Sequence, residues 1–322
     1  MDKLKRGDKV AIISPSFSYK KIPKEVASLA TKRLASLGLT VIFGKHLDEM
    51  DEFESSSIES RLDDLHWAFS DPDIGGIIMA VGGYNSNFLL EKIDWGLIKR
   101  NPKFFCGMSD ITVLSNAILT KTGLVTYSGP NFRNFGQQKY FDYTLDYFVK
   151  AAFGRDPIEI LSSESWSDDV WWKDQTKRKQ IENPGWLVIK EGEFMGKIIG
   201  GNLCSLNLLQ GTEFMPSITD AVLFIEDDAV STAGEYSRNL QSLMQLPDFK
   251  NVRGLMLGRF QKKTKMKQRM LIGLINELLS DCEIPVVANL DFGHTDPKIT
   301  FPIGGWVSGI VKKGASRIII EE

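Results

Sequence analysis

The stretch Lys103–Asp110, KFFCGMSD, runs directly into ITVLSNAILTKTG, residues 111–123. A short apolar run that ends at Gly-Met-Ser and passes at once into a helix-like pattern reads as the corner between a strand and a helix. Ser109 stands on that corner. By pattern it is either a nucleophile or an ordinary helix N-cap.

The same alternation recurs through the first 150 or so residues. Strand-like runs are KVAIISPS (9–16), LTVIFG (39–44), DIGGIIMAVGG (73–83), KFFCG (103–107) and LVTYSG (124–129). Helix-like segments lie between them. In 23–38, Val26, Leu29, Leu34 and Leu37 fall near helical spacing before Gly38, and in 56–71, Leu62, Leu65 and Phe69 share one face. Repeated β-α units with strands apolar on both sides imply an α/β fold, a parallel sheet with helices on both faces. Ligands of such sheets sit beyond the carboxyl ends of the strands. Here those ends are the loops SPSF, VGGYNSN, GMSD and YSGPN.

Residues 153–193 read as a linker or substrate loop, polar and aromatic without a clear period, and Trp166, Trp171, Trp172 and Trp186 lie within them. Such a loop either binds a ligand or seals a domain interface. From 194 to 322 apolar strands and helical patterns resume, ending in short strands with Gly turns, as expected of a β-rich α/β domain. The expected organisation is therefore an N-terminal domain at 1–152, a Trp-rich segment at 153–193 and a C-terminal domain at 194–322.

Composition narrows the function class. In 322 residues, 39 Lys+Arg against 41 Asp+Glu leave a formal charge of −2, with no basic stripe suited to a nucleic acid polymer. Cys106, Cys204 and Cys282 are scattered, which suits a reducing compartment and gives no disulfide framework or metal spacing. The first apolar run is too short for a signal-peptide core, and no run approaches a membrane span. The expectation is a soluble cytoplasmic protein without metal or cofactor. Walker, H-E-x-x-H and dinucleotide-binding glycine motifs are absent.

Three histidines exist, His46, His66 and His294. His66 sits on a helix-like segment and His46 at a strand end. His294 follows the apolar run IPVVANL on a Gly-containing loop, where it serves either chemistry or structure. Glu226 and Asp227 end the apolar run VLFIEDD; burial there demands a partner, and a histidine is one, although the two acids could equally begin a solvated loop. A serine hydroxyl needs an adjacent base and donors for the oxyanion. The hydrolase elbow G-x-S-x-G is incomplete, because Ile111 occupies its last position.

The blocks AVGGYNSN, CGMSDIT, YSGPNF, IGGNLCSL, LFIEDD, GLMLGRF and FGHTDPKITFPIG, in this order across nearly the whole chain, resemble the LD-carboxypeptidase family of serine peptidases. The resemblance implies a Rossmann-like N-terminal domain and a C-terminal domain that carries two of the catalytic side chains. It implies Ser109 as nucleophile, Glu226 as carboxylate and His294 as base, with the N–H groups of Gly83 and Asp110 as oxyanion donors. Candidate substrate contacts are Gly82, Asn85, Trp171, Trp172 and Asn202. The resemblance also implies a homodimer. Two branches differ in substrate. Murein enzymes usually carry an arginine before the glycine pair and GGYG after it, whereas this chain has Val81 and then GGYNSN, similar to the microcin C self-immunity branch. That branch implies a small peptidyl- or aminoacyl-nucleotide substrate, with a murein tetrapeptide as the alternative. The reading from another class is a non-catalytic small-ligand-binding protein.

Overall fold

The computed structural model describes residues 3–321. In the first half β1 (Lys9–Ile13), β2 (Thr40–Phe43), β3 (Ile74–Met79), β4 (Phe104–Gly107) and β5 (Thr126–Ser128) alternate with α1 (Lys24–Ser36), α2 (Ile58–Ser70), α3 (Trp95–Arg100) and α4 (Thr112–Thr122), before α5 (Asp142–Phe153). The strands pair in parallel in the order β5-β4-β3-β1-β2. Helix ends follow local chemistry. Ser57 accepts from the Ser60 N–H at the start of α2, and Gly123 ends α4 in the left-handed region at φ 75°.

Alternation along the strands fills two cores. Ile12, Ile78 and Phe104 pack with α1 and α5, while Ile13, Ile77 and Phe105 pack with α2 and α4. Neighbouring Phe104 and Phe105 are both fully buried, on opposite faces. This is the two-sided burial expected of a parallel sheet.

The second sheet has eight strands. β10 (Gly192–Asn202), β11 (Ala221–Glu226), β12 (Gly254–Gly258) and β13 (Val286–Leu290) are parallel at its centre. α6 (Leu203–Asn207), α7 (Ala233–Met244) and α8 (Gln268–Leu278) connect them. Antiparallel β15 (Trp306–Val311) and β16 (Arg317–Glu321) extend one side.

The expected boundaries move. Within 153–193, β6 (Ile158–Ile160) pairs with β16 and β9 (Leu187–Lys190) with β13, so this segment supplies both edges of the second sheet. Only β7 (Ser165–Trp166) and β8 (Ile181–Glu182) form a separate small ribbon. Conversely β14 (Phe301–Ile303) returns to pair antiparallel with β5 in the first sheet. Strands as short as three residues carry too little periodicity to be read locally; their partners across the fold define them.

The halves are also joined through α4. Thr112 Oγ1 accepts the Asn202 N–H at 2.9 Å, and Asn116 Nδ2 donates to the Gly200 carbonyl at 2.9 Å. The helix that begins just after Ser109 is thereby docked on the end of β10, beside the end of β11. None of the described helices is long and apolar enough to cross a membrane.

Candidate active site

Ser109 leaves β4 and enters a single 3₁₀ turn ahead of α4. Its φ is +68°, a left-handed conformation rare for a residue with a side chain. Its hydroxyl does not cap the helix; it faces His294 Nε2 at 3.0 Å. On the other side of the ring, Nδ1 lies 2.7 Å from Glu226 Oε2. The three side chains come from the turn after β4, the end of β11 and the loop after β13, so two sheets converge on one hydrogen-bonded chain.

Two glycine regions permit the convergence. A Cβ on Gly293 would stand 2.4 Å from Glu226 Oε2, and Gly293 has φ +95°. A Cβ on Gly82 would meet Ser109 Cβ at 2.8 Å, and one on Gly83 would meet Ser16 Oγ at 2.1 Å. The Gly82-Gly83 backbone thus runs directly over the serine.

Glu226 is 4% exposed at the end of an otherwise apolar strand. Burial disfavours the charged ring of His294, but Glu226, through its charge and hydrogen bond, and Asp228 outweigh it even against Lys298, so the histidine titrates above its ordinary value. Asp228 Oδ2 lies 4.0 Å from Nε2.

The loop that carries His294 is clamped by the Trp-rich segment. The Ser163 N–H donates to Asp291 Oδ2 at 2.8 Å, and Ser167 and Asp296 exchange backbone hydrogen bonds at 2.7 and 3.0 Å. Buried Asp296 is held charged by Lys298 and Arg178, which hold its carboxyl below the usual range despite burial.

An open cleft leads to Ser109. Trp171 and Trp172 both line it, Trp171 only 2% exposed and packed edge-on to Trp172 with ring centroids 5.8 Å apart. The Arg133 guanidinium stacks 4.7 Å over Trp172 and also faces the cleft. Burial pushes Arg133 down to about 10, against the pull of Asp296.

Residues 10–129 match the LD-carboxypeptidase N-terminal domain, and residues 195–308 the LD-carboxypeptidase C-terminal domain. The chain belongs to the LD-carboxypeptidase family. It is a serine-type carboxypeptidase, a hydrolase. A Bacillus subtilis (strain 168) relative named "Putative carboxypeptidase YocD" is 47% identical over 320 residues, covering 99% of this chain and 98% of the relative. The crystal structure of an MccF-like protein from Bacillus anthracis str. Ames superposes with a TM-score of 0.97 at 50% identity, covering 99% of this chain and 98% of that one. MccF in complex with glutamyl sulfamoyl guanosine superposes with a TM-score of 0.90 at 28% identity, covering 99% and 97%.

Within this LD-carboxypeptidase, the sequence-predicted site residues do not all meet. Ser109, His294 and Glu226 form the chain above, and Gly82, Gly83, Trp171 and Trp172 line the same cleft. Asp110 sits beside Ser109, its carboxylate taken up by Ser16 Oγ at 2.5 Å and the Ser86 N–H at 2.9 Å. Asn202 does not line the cleft; it lines a smaller hollow that also reaches Ser109. Asn85 lines neither. Its Oδ1 accepts from Ser55 Oγ at 2.9 Å and Arg61 Nη1 at 3.0 Å, because that buried guanidinium needs acceptors and the loop supplies them. Asn85 pins the glycine loop and does not face the cleft. His46 bonds Glu49 and Asp63, and His66 Nε2 accepts the Asp94 N–H, so both are held outside the site.

Sequence reasoning missed Asp228 and Arg133. Nothing in LFIEDD sets Asp228 apart from the two acids before it, and nothing local to PNFRNF marks Arg133; its pairing with Trp172 spans 39 residues.

Proposed function

We propose that this carboxypeptidase uses Ser109 as nucleophile, His294 as base and Glu226 as its orienting carboxylate, and that it cleaves the amide of aminoacyl- or peptidyl-nucleotide compounds. The observation that carries the reading is the 3.0 and 2.7 Å hydrogen-bonded run from Ser109 through His294 to Glu226, ending on a serine held at φ +68°. Strain kept at one polar residue inside a cleft is what a positioned nucleophile requires.

In this mechanism Glu226 holds the Nδ1–H tautomer, so Nε2 takes the Ser109 proton as Oγ attacks the amide carbonyl. The N–H groups of Gly83 and Asp110 receive the negative charge on the carbonyl oxygen. His294 returns the proton to the leaving nitrogen, and the C–N bond breaks. Water, deprotonated by the same ring, then attacks the acyl ester and frees Ser109. Glu226 stays ionised and stabilises the imidazolium.

The leaving side would occupy the Trp-lined cleft. Indoles stack on bases, at roughly 1–3 kcal/mol per base. Arg133, which takes no ion pair among the described residues, suits an anionic linkage beside the base. The relative solved with glutamyl sulfamoyl guanosine supports the same class of compound. A homodimer in the cytoplasm belongs to the same proposal, and sedimentation at the mass of one chain would remove the dimer from it. The deciding assay compares hydrolysis of an aminoacyl sulfamoyl adenosine with that of a murein tetrapeptide. Release of the free amino acid from the first is expected; release of the terminal D-alanine alone would move the substrate to murein.

A further inference from the structure

The glycine pair over Ser109 belongs to the loop after β3 and packs on the loop after β1. The Phe17 N–H donates to the Gly82 carbonyl at 3.2 Å, and Gly83 leaves no room for a Cβ against Ser16 Oγ. Two opposite charges staple these loops at adjacent residues. The Asp110 carboxylate accepts from Ser16 Oγ at 2.5 Å and from the Ser86 N–H at 2.9 Å. One residue back in each loop, the Arg61 guanidinium takes over. Its Nη1 donates to the Pro15 carbonyl at 3.2 Å and to the Asn85 carbonyl and Oδ1, both at 3.0 Å.

Arg61 comes from the first turn of α2 and is 3% exposed. The acceptors its side chain meets are all neutral, with the Ser57 carbonyl at 3.4 Å from Nε completing the set. Burial pushes the guanidinium down from its ordinary value, against the charges of Asp51, Asp110 and Glu59. A buried cation bonded only to neutral groups is a costly way to satisfy carbonyls that a neutral donor could serve. Its charge has a use beside Ser109. Asp110 puts a buried carboxylate on the residue whose N–H is the proposed oxyanion donor, and one anion opposes the growth of another nearby. Arg61 supplies the opposite sign behind the same loops.

We infer that Arg61 is a positioning residue for the oxyanion hole: by joining Pro15 to Asn85 it fixes the Gly83 N–H over Ser109 and offsets the charge of Asp110. The inference rests on the serine-hydrolase reading. Arg61 does not line the cleft and touches no reacting atom; it acts through Asn85 and the glycine loop. Without its guanidinium, the Pro15 carbonyl and both Asn85 oxygens lose a shared donor, and buried acceptors left unmet are costly. The loop then shifts to find others. A displacement of about 1 Å is enough to cost a catalytic donor about 10²-fold.

The test uses the full chain and whichever compound, aminoacyl sulfamoyl adenosine or murein tetrapeptide, the unmodified enzyme cleaves. Arg61→Met is expected to lower kcat by about 10²-fold or more with KM little changed, the scale of a lost oxyanion donor. Arg61→Lys, which keeps the charge, should recover part of the loss, and Asn85→Ala should lower kcat by about tenfold. Calorimetry with the same compound on Ser109→Ala, with and without Arg61→Met, is expected to give one affinity and one stoichiometry. A merely structural role would weaken that binding or reduce the number of chains able to bind. Wild-type kcat in Arg61→Met, or a kcat loss matched by lost binding stoichiometry, would overturn the inference. Should Arg61→Met fail to fold, Arg61→Lys and Asn85→Ala carry the test, and wild-type kcat in both would overturn it. Activity retained by Ser109→Ala would instead overturn the serine reading. An inactive Ser109→Ala beside an unimpaired Arg61→Met overturns the role of Arg61 alone.

Discussion

Gly293 and Glu226 are matched in space: the glycine before His294 leaves empty the position where a Cβ would lie 2.4 Å from the carboxylate oxygen that bonds the ring. The backbone that delivers the histidine thus passes against the acid that orients it. Gly293→Ala would force the carboxylate away and strain a φ of +95°. The expected result is a fall in kcat of about 10²-fold or more with KM little changed, as for misoriented catalytic groups, and a stability loss of about 1–3 kcal/mol. Steady-state kinetics and urea unfolding read the two separately, and unchanged kcat would remove Glu226 from the mechanism.

Ser109→Ala is expected to lower kcat by about 10⁶-fold, the scale seen when a serine hydrolase loses its nucleophile. A fluorophosphonate that labels the unmodified enzyme should fail to label this variant. Ser109→Gly makes the strain visible. It should be equally inactive yet more stable than Ser109→Ala by about 1 kcal/mol, because glycine accepts a φ of +68° without penalty. Equal melting temperatures for the two would mean that the left-handed conformation stores no energy.

His294 titrates above 6.5 because Glu226 and Asp228 outweigh its burial. As a base it must be neutral, so the acid limb of kcat/KM is expected above the ordinary histidine value, with activity lost as pH falls through it. Glu226→Gln removes the main charge that raises the ring. The limb should then move to lower pH while the plateau drops by about 10⁴-fold, as when a triad carboxylate becomes an amide. The stability effect carries the opposite pH sense. A raised folded-state value contributes stability that is complete below 6.5 and is lost as pH rises through the folded value. Asp227 titrates lower, its value of about 6 costing stability as pH climbs to it from 3.8, so the two windows can be told apart. Melting temperatures of both forms across these windows check the sign; an acid limb in Glu226→Gln at the same pH as wild type would remove the carboxylate's influence.

Much of this was legible from sequence, for a physical reason. The buried strands β3 and β4 and the amphipathic helices α1 and α2 announce themselves by composition and spacing, and Ser109, Glu226 and His294 each sit at or just beyond the place where an apolar strand stops. What failed was non-local. β6, β9 and β14 are strands only because β16, β13 and β5 lie beside them. Asn85 resembled a ligand contact because it follows the glycine pair, yet the unmet donors of Arg61, 24 residues away, claim its side chain. Glu226 and Asp227 look alike in sequence, and only the packed fold separates an acid bonded to histidine from one whose second oxygen is buried without a partner of normal geometry.

Trp171 and Trp172 are adjacent in sequence but differ in burial, which makes them a controlled pair. Trp172 carries Arg133 at 4.7 Å and is part-buried, whereas Trp171 is 2% exposed. Trp172→Ala should raise KM for an aminoacyl sulfamoyl adenosine by about tenfold with kcat nearly kept, the loss of one stacking partner being worth roughly 1–3 kcal/mol. Arg133→Ala should raise KM similarly and make it less sensitive to salt, because the lost contact is to an anionic linkage. Trp171→Ala should instead destabilise the fold by about 3–5 kcal/mol, the cost of emptying a buried indole. It should also lower kcat, because the same segment clamps the His294 loop through Ser167 and Asp296. KM values unmoved by both Trp172→Ala and Arg133→Ala would mean that the nucleotide does not lie in this cleft.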